Sequence, residues 1–159
     1  MEELVNHNEN IYCYYISSDW NFSEMLVSLM SLLATNPKYK VAVAYGPKVT
    51  TESLNILKDL GLILLDETDH PLDHIIIKSD GTEDKFACSA KLYLYRRTEY
   101  KKIVYLDPDT LFISNMDEIF NYPDGSATKH FMDGKSWPGM NGGLMVIEPN
   151  LETFNEFLV

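Results

Sequence analysis

Three short apolar runs alternate with two segments of helical spacing near the start of the chain, and this rhythm constrains the fold most strongly. The apolar runs are 11–16, 40–44 and 62–65, and the helical segments are 22–34 and one that follows Thr51. Crossovers of this length favour parallel pairing of the strands, with helices covering the sheet. The sequence therefore predicts an α/β fold of the doubly wound, Rossmann-like class.

Local signals mark where the two predicted helices begin and end. Asn36 and Pro37 stop the first helical pattern, because proline lacks the N–H that a continuing helix requires. Thr51 is predicted to cap the second helix at its start, and Gly61 suits the position after its last turn, where a positive φ is common. The first three strands are therefore separated by helices with clear ends.

The rest of the chain contains an apolar strand that ends in two acids. Residues 103–106 form this strand, and Asp107-Pro108-Asp109 follows it directly. The other elements predicted here are a long loop at 66–85 with a hairpin around 75–77, a helix at 86–97, a short strand at 111–113, one helical turn at 116–120, a loop-rich segment at 123–142, a strand at 143–147 and a helix capped by Asn150. Ligands bind outside the carboxyl ends of strands in open α/β sheets, so the acids mark a candidate site.

The charge of the chain limits the ligands that it can bind. Its 24 acidic and 13 basic residues give a formal charge of −11, which repels the phosphate backbone of nucleic acids and anionic membrane surfaces. No uninterrupted apolar run approaches the length that crosses a bilayer. We therefore expect neither nucleic acid nor a membrane span. A small phosphorylated ligand would need local help from a cation, a lysine or backbone N–H groups.

Length and cysteine usage indicate one domain in a reducing compartment. The 159 residues, of which 45% are hydrophobic, are enough for one substantial core. Cys13 and Cys88 lie inside apolar stretches and form no spaced framework, which favours a reduced, cytoplasmic setting over an oxidising one. We therefore predict a single domain over residues 1–159.

Asp107 and Asp109 are the residues with the clearest chemical meaning. Carboxylates at i and i+2 in extended backbone point to the same side, and Pro108 biases Asp107 away from the helical region. The pair can then converge on one Mg²⁺ or Mn²⁺, ions that prefer oxygen ligands and keep positions open for water and phosphate. The alternative is that the acids begin a solvated turn. The predicted strands on both sides favour a kink inside the sheet.

Three stretches of the sequence resemble one family. They are YYISSDWNF at 14–22, KLYLYRRTEYKKIVYLDPDTLFISNMDEIF at 91–120 and MNGGLMVIEPNLETFNEFL at 140–158. The chain resembles the glycogenin-like (family 8) retaining glycosyltransferases, in which a TEY element precedes an apolar strand and a DxD motif. The resemblance covers nearly the whole chain in the same order. It implies a GT-A fold, that of nucleotide-diphospho-sugar transferases, with a mixed, mainly parallel sheet flanked by helices.

The resemblance also implies a ligand set. It predicts a UDP-sugar donor, a Mn²⁺ or Mg²⁺ ion held by Asp107 and Asp109, and hexosyl transfer to an unidentified protein or glycan acceptor. Phe22 stands where the family often has a tyrosine that stacks on uracil, although phenylalanine lacks the hydroxyl. The residues implied to line the rest of the uridine site are Ile16, Ser17 and Ser18.

Further site residues follow from two short matches. Lys91 matches a family lysine that faces the donor phosphate or sugar, so Lys91 and Asp109 are the candidate catalytic residues. Asn141 and Gly143 match the N-x-G element, in which the amide contacts the sugar and glycine permits close approach. Without the resemblance, a solvated helix lysine explains Lys91 as well as a ligand-binding role does. The glycines are then more typical of a simple turn than of a sugar site.

The chain departs from the family in its metal site. Pro108 replaces the small residue more usual between the two acids. The third metal ligand of the family, a histidine, and its sugar-binding pair lie downstream of the region that matches 143–159. None of the histidines of this chain matches that ligand; they are His7, His70, His74 and His130. We therefore expect the donor-binding part of such an enzyme, either a fragment without the family's C-terminal part or a chain whose partner supplies the rest, and we allow for a homodimer.

Three other readings compete with glycosyl transfer. A phosphatase of the haloacid dehalogenase type also places D-x-D after a strand, but its motif wants threonine or valine where Leu111 stands. A catalytically inactive domain of the same fold would bind a nucleotide or a partner without reaction. A dinucleotide-binding oxidoreductase lacks support, because no G-x-G-x-x-G follows the first strand.

Overall fold

The computed structural model describes residues 9–69, 90–132 and 135–157, and these form one six-stranded sheet with helices on both faces. The strands are β1 (Glu9–Ser18), β2 (Lys40–Lys48), β3 (Ile63–Asp66), β4 (Tyr100–Leu106), β5 (Ala127–Met132) and β6 (Lys135–Ile147). The α-helices are α1 (Phe22–Ala34), α2 (Thr51–Asp59) and α3 (Leu151–Glu156), and short 3₁₀ helices span Asp19–Asn21, Ala90–Arg96 and Asp117–Asn121.

The order of the strands creates a crevice in the middle of the sheet. The order is β3-β2-β1-β4-β6-β5; the first four strands are parallel, and β6 runs antiparallel to both of its neighbours. From β1 the chain builds the sheet outward through β2 and β3, and β4 then returns to the other side of β1. Ligands of open α/β sheets bind where the strand order reverses in this way. The structure confirms the predicted mixed, mainly parallel sheet.

Two apolar layers hold the helices against the sheet. Alternate residues of β1 point to opposite faces, so that Ile11 and Cys13 join one layer while Tyr12 and Tyr14 join the other. The first layer is covered by the 3₁₀ helix Ala90–Arg96 and by α3, and the second by α1, α2 and the 3₁₀ helix Asp117–Asn121. Each fully buried large side chain in these layers contributes about 2 kcal/mol of burial free energy.

The C-terminal end of α2 agrees with the prediction from the sequence, and its N-cap differs from the predicted one by a single residue. Thr50, not Thr51, is the N-cap, and its hydroxyl accepts a hydrogen bond from the N–H of Ser53. Gly61 has a φ of +74° immediately after the helix, as predicted. The N–H of Leu62 then bonds to the carbonyl of Leu57, which closes a Schellman motif. Thr51 becomes the first helical residue.

Two predictions for the second half of the chain are wrong. Residues 111–113 form no strand, because the N–H of Phe112 donates to Ser31 Oγ on α1 and not to a neighbouring strand. The segment 123–142 is not mainly loop: β5 and β6 form a hairpin there, and 143–147 is the end of a longer strand. The described glycines and prolines of this segment lie within β6 and the turn before β5.

The remaining predictions either are confirmed or concern residues that the structure does not describe. Helix α1 has the predicted bounds, Asn150 caps α3, and the helical turn at 116–120 is the 3₁₀ helix Asp117–Asn121. The described part of the predicted helix 86–97 is the 3₁₀ helix Ala90–Arg96. The hairpin around 75–77, most of the loop 66–85, and Cys88 lie outside the described residues. None of the helices that are described has the length and apolar character to span a bilayer.

Asp117 anchors the segment that follows the two acids. Its carboxylate accepts hydrogen bonds from the hydroxyl of Tyr12, the N–H of Lys38 and the amide of Asn115. Burial opposes ionisation of this group, but these hydrogen bonds outweigh it and hold the pKa of Asp117 below its ordinary value. The chain that leaves Asp109 is therefore tied to β1 and to the end of α1.

Candidate functional site

The candidate site lies at the carboxyl edge of the sheet, where β1, β4 and β6 meet. Tyr14 of β1 pairs with Leu106 of β4, and Leu106 pairs with Leu144 of β6. The residues just beyond this row are Ser17 and Ser18 from β1, Asp107 after β4 and Gly143 within β6. Side chains from three separate parts of the sequence therefore meet at the crevice that the strand order creates.

Asp107 is held in place by two other side chains. Its Oδ1 accepts a hydrogen bond from the hydroxyl of Tyr105, and Lys91 Nζ lies 3.7 Å from the same oxygen. The side chains of Asp107 and Lys91 are 34% and 15% exposed, so the ion pair sits at the rim of the core and not in bulk solvent. Asp107 is therefore no ordinary solvated turn residue.

Lys91 has three partners that fix its ammonium group. It donates a 2.7 Å hydrogen bond to the carbonyl of Gly142, and it lies 4.8 Å from the centroid of the Tyr105 ring, within reach of a cation–π contact. Its third partner is Asp107. The structure therefore disfavours the solvated helix lysine as an explanation of this residue.

Two glycines of β6 leave room beside these groups. A Cβ on Gly142 would lie 2.9 Å from Lys91 Nζ, and a Cβ on Gly143 would lie 2.9 Å from Asn141 Oδ1 and 3.1 Å from Asp107 Oδ2. Asn141 Oδ1 also accepts a 2.8 Å hydrogen bond from the N–H of Gly143. A side chain at either position would therefore displace a neighbouring group, and the close approach of a sugar to Gly143 stays a prediction.

Asp109 lies in a turn and not in extended backbone. The N–H of Thr110 donates to the carbonyl of Asp107, which closes a turn around a buried Pro108. The argument from extended backbone is therefore wrong for this pair. Asp109 is exposed, and it makes no hydrogen bond or ion pair with the described residues. Convergence of Asp107 and Asp109 on one ion stays a prediction.

The oxygen ligands present would suit a divalent cation that is shared with a phosphorylated ligand. Within the described ranges, no group of three or more histidine, cysteine or acidic side chains could hold a metal ion. Two carboxylates fit Mg²⁺ or Mn²⁺, which usually take several ligands from water and substrate phosphate. Asp107 Oδ2 lies close to Gly143, whereas the described hydrogen bond and ion pair of this carboxylate are made by Oδ1.

The residues predicted to contact uridine divide into buried and accessible ones. Ile16 is fully buried and Phe22 is 9% exposed, and both belong to the layer under α1. Ser17 and Ser18 are half-buried, and Ser18 Oγ accepts from the N–H of Trp20. Whether Phe22 stacks on a base is untested, but its ring packs mainly into the core.

Three residues at or near the site were not predicted. Trp20 is 83% exposed directly after the polar turn at the end of β1. Tyr105 stands two residues before Asp107, and this spacing on a strand was the available signal that the two side chains share a face. Gly142 had no signal of its own, because only the position of Lys91 shows that a side chain there would displace the ammonium group.

Several proteins are similar to this chain in sequence. Glycogenin-1 of Caenorhabditis elegans is 42% identical over 69 residues, which are 43% of this chain and 15% of that protein. Galactinol synthase 1 of Arabidopsis thaliana is 25% identical over an alignment that covers 97% of this chain and 54% of that protein. No family model matches the chain. The chain thus spans about half or less of the curated relatives named here.

Solved structures show the same fold. The glycosyltransferase GlyE of Streptococcus pneumoniae TIGR4 has a TM-score of 0.60 at 15% identity, with 94% of this chain and 36% of that chain covered. The galactosyltransferase LgtC, solved in complex with donor and acceptor sugar analogues, has a TM-score of 0.57 at 14% identity, with coverages of 87% and 57%. The fold and its strand order therefore define a GT-A domain. The sequence matches to glycogenin-1 and galactinol synthase 1 support the resemblance to the glycogenin-like, family 8 glycosyltransferases.

Proposed function

We propose that this chain binds a UDP-sugar through a divalent cation and is the donor-binding part of a retaining hexosyltransferase. The observation that carries the proposal is the convergence of Lys91, Asp107 and the Asn141–Gly143 segment at the crevice of the sheet. Two relatives support the choice of donor, since their names include UDP-glucuronate; one is 42% identical over 65 residues. Retention is taken from the family.

The charges of the site explain why a cation is part of the proposal. The chain carries a formal charge of −11, and Asp107 and Asp109 add two carboxylates at the crevice. A diphosphate would be repelled there without a counter-charge. Lys91 supplies one positive charge, and it is already paired with Asp107. Asp107 and Asp109 would hold a Mn²⁺ or Mg²⁺ ion, which would supply the remaining positive charge.

Each protein group then has a part in transfer. Asp107 and Asp109 would hold the ion, whose chemistry is to stabilise the charge of the departing nucleoside diphosphate. Lys91 would donate a hydrogen bond to an oxygen of that diphosphate, and this hydrogen bond would strengthen as negative charge develops on the oxygen. Asn141 would orient the sugar, and the bare Cα of Gly143 would permit its close approach. Ser17 and Ser18 would contact the uridine.

A panel of nucleotides measured by thermal unfolding tests this proposal. UDP and UDP-sugars should raise the melting temperature only when Mn²⁺ is present, while ADP- and GDP-sugars should not. At about 100 times its dissociation constant a ligand adds about 2.7 kcal/mol to stability, a shift of several degrees for a domain of this size. Failure of all uridine nucleotides would favour an inactive partner-binding domain. Release of phosphate from simple phosphomonoesters would favour the phosphatase.

We also propose a cytoplasmic location, on the basis of cysteine chemistry. Cys13 is a free thiol that is fully buried in β1, where burial raises its pKa to about 12, and a cysteine without a disulfide is what a reducing compartment favours. The acceptor, protein or glycan, and a homodimer remain predictions.

Substitution of Gly142 by alanine tests whether the position of Lys91 matters. The new methyl group would lie 2.9 Å from Lys91 Nζ, and the flexible lysine would move away from Asp107. Because the lysine can move at little cost and Gly142 has no positive φ, stability should change by less than about 1 kcal/mol. We expect donor turnover, measured as UDP release, to fall about tenfold. In a Lys91→Met background Gly142→Ala should have no further effect; an equal loss there would contradict this account.

A further inference from the structure

We infer that Tyr105 is a positioning residue that orients the carboxylate of Asp107 toward the metal ion. The inference rests on the proposed function and adds a residue that the metal site requires. Its hydroxyl donates to Asp107 Oδ1, so one oxygen of the carboxylate is committed to the protein. The other oxygen, Oδ2, is then the one offered to the ion.

The position of Tyr105 makes this hydrogen bond well defined. Tyr105 lies on β4 two residues before Asp107, so the two side chains leave the backbone on the same face. Its side chain is 4% exposed and belongs to the buried layer under the 3₁₀ helix Ala90–Arg96. A tyrosine held in this way has little freedom to move, and its hydroxyl therefore restricts rotation of the carboxylate.

Lys91 acts on the same oxygen from another side. Its ammonium group lies 3.7 Å from Asp107 Oδ1 and 4.8 Å from the centroid of the Tyr105 ring. Tyr105 thus contacts both members of the ion pair, the carboxylate through its hydroxyl and the ammonium through its ring. Both charged groups are fixed by one aromatic side chain.

The surroundings of Oδ2 are different. This oxygen faces Gly143, whose missing Cβ would lie only 3.1 Å away. The described hydrogen bond and ion pair of the Asp107 side chain are both made by Oδ1, so Oδ2 is the oxygen left for another ligand. Without the hydroxyl, the carboxylate is free to rotate so that both oxygens approach Lys91, and the ammonium would then compete with the cation for Asp107.

Replacement of Tyr105 by phenylalanine tests the inference, because it removes the hydroxyl and keeps the ring. Mn²⁺ is titrated into protein mixed with a fixed concentration of UDP, with UDP alone as the blank, and binding is followed by calorimetry and by the loss of the free Mn²⁺ electron paramagnetic resonance signal. We expect the dissociation constant of Mn²⁺ to rise about five- to tenfold. The dissociation constant of UDP at saturating Mn²⁺ should stay within twofold of the wild-type value.

Tyr12→Phe is the matched control. The hydroxyl of Tyr12 also donates to an aspartate, Asp117, but it lies in the layer on the opposite face of the sheet. Both variants keep a ring of the same size, and circular dichroism and melting temperatures will verify that both fold. Tyr12→Phe should leave the Mn²⁺ dissociation constant unchanged, whatever stability it loses.

The possible results separate this inference from the proposed function. Wild-type protein that binds no UDP in the presence of Mn²⁺ would overturn both. Wild-type protein that binds UDP with Mn²⁺, together with an unchanged Mn²⁺ dissociation constant in Tyr105→Phe, would overturn the role of Tyr105 alone. Equal weakening in Tyr12→Phe would assign the effect to general destabilisation and would also overturn it.

Discussion

Replacement of Asp109 by asparagine is expected to weaken metal-dependent UDP-sugar binding about 100-fold while leaving the fold intact. The change removes one of two carboxylates proposed to hold the ion, and a factor of 100 corresponds to about 2.8 kcal/mol. Asp109 is exposed and makes no contact with a described residue that the substitution would break. Stability should therefore change by no more than about 0.5 kcal/mol. Calorimetric titration of UDP with and without Mn²⁺ measures the effect.

Asp59→Asn is the control for the change of charge. Asp59 is also exposed, at the end of α2, and its substitution alters the net charge of the chain by the same amount. It should leave Mn²⁺-dependent binding unchanged. If Asp109→Asn binds UDP with Mn²⁺ as tightly as the wild-type protein does, the exposed acid is only part of a turn and the proposed metal site is wrong.

Replacement of Lys91 by methionine is expected to slow donor turnover by about 100- to 1,000-fold. The ammonium group is the fixed cation nearest to Asp107 among the described residues, and loss of one such donor to a departing oxyanion has an effect of this size in enzymes. Methionine preserves most of the apolar stem that is buried against the core. Release of UDP from a UDP-sugar at saturating donor and Mn²⁺ measures the rate.

Lys102→Met is a closely matched control for Lys91→Met. The Lys102 side chain is 12% exposed, donates a 2.7 Å hydrogen bond to the carbonyl of Tyr122 and forms a 2.9 Å ion pair with Glu148. It thus has the same kinds of partner as Lys91, but away from the candidate site. Lys102→Met should affect stability and not turnover. Similar losses of turnover in the two variants would show that Lys91 serves only the structure.

Local sequence signals predicted the first half of the fold well. The bounds of α1 and the positive φ of Gly61 follow from proline, glycine and apolar spacing, which act within a few residues. The hairpin of β5 and β6 was missed because β6 contains glycine and proline, and pairing between the two strands outweighs those local preferences. The strand predicted at 111–113 failed for a related reason, since Phe112 bonds to α1, which is distant in sequence.

The main residues of the candidate site were predicted from motifs, but the residues that position them were not predicted. Asp107, Lys91 and Gly143 were identified by their resemblance to family elements, and the structure brings these three residues together. The roles of Tyr105 and Gly142 depend on how β4 and β6 are aligned. That alignment is set by long-range pairing, which no local pattern reports. The exposed turn at Asp109 was likewise hidden by the expectation of a second strand.

The antiparallel pairing of β6 with β4 connects Asp107 and Gly143, the residues that these strands contribute to the site, through a backbone hydrogen bond. The N–H of Asp107 donates a 2.7 Å hydrogen bond to the carbonyl of Gly143, so the acid and the glycine are neighbours in one ladder. After Asp107 the chain leaves the sheet, and this excursion over residues 108–126 ends where β5 begins at Ala127. Insertions or deletions in that excursion would reshape the rim of the crevice without moving its floor. Variation in length there is a route by which related proteins could accept different partners on one unchanged donor platform.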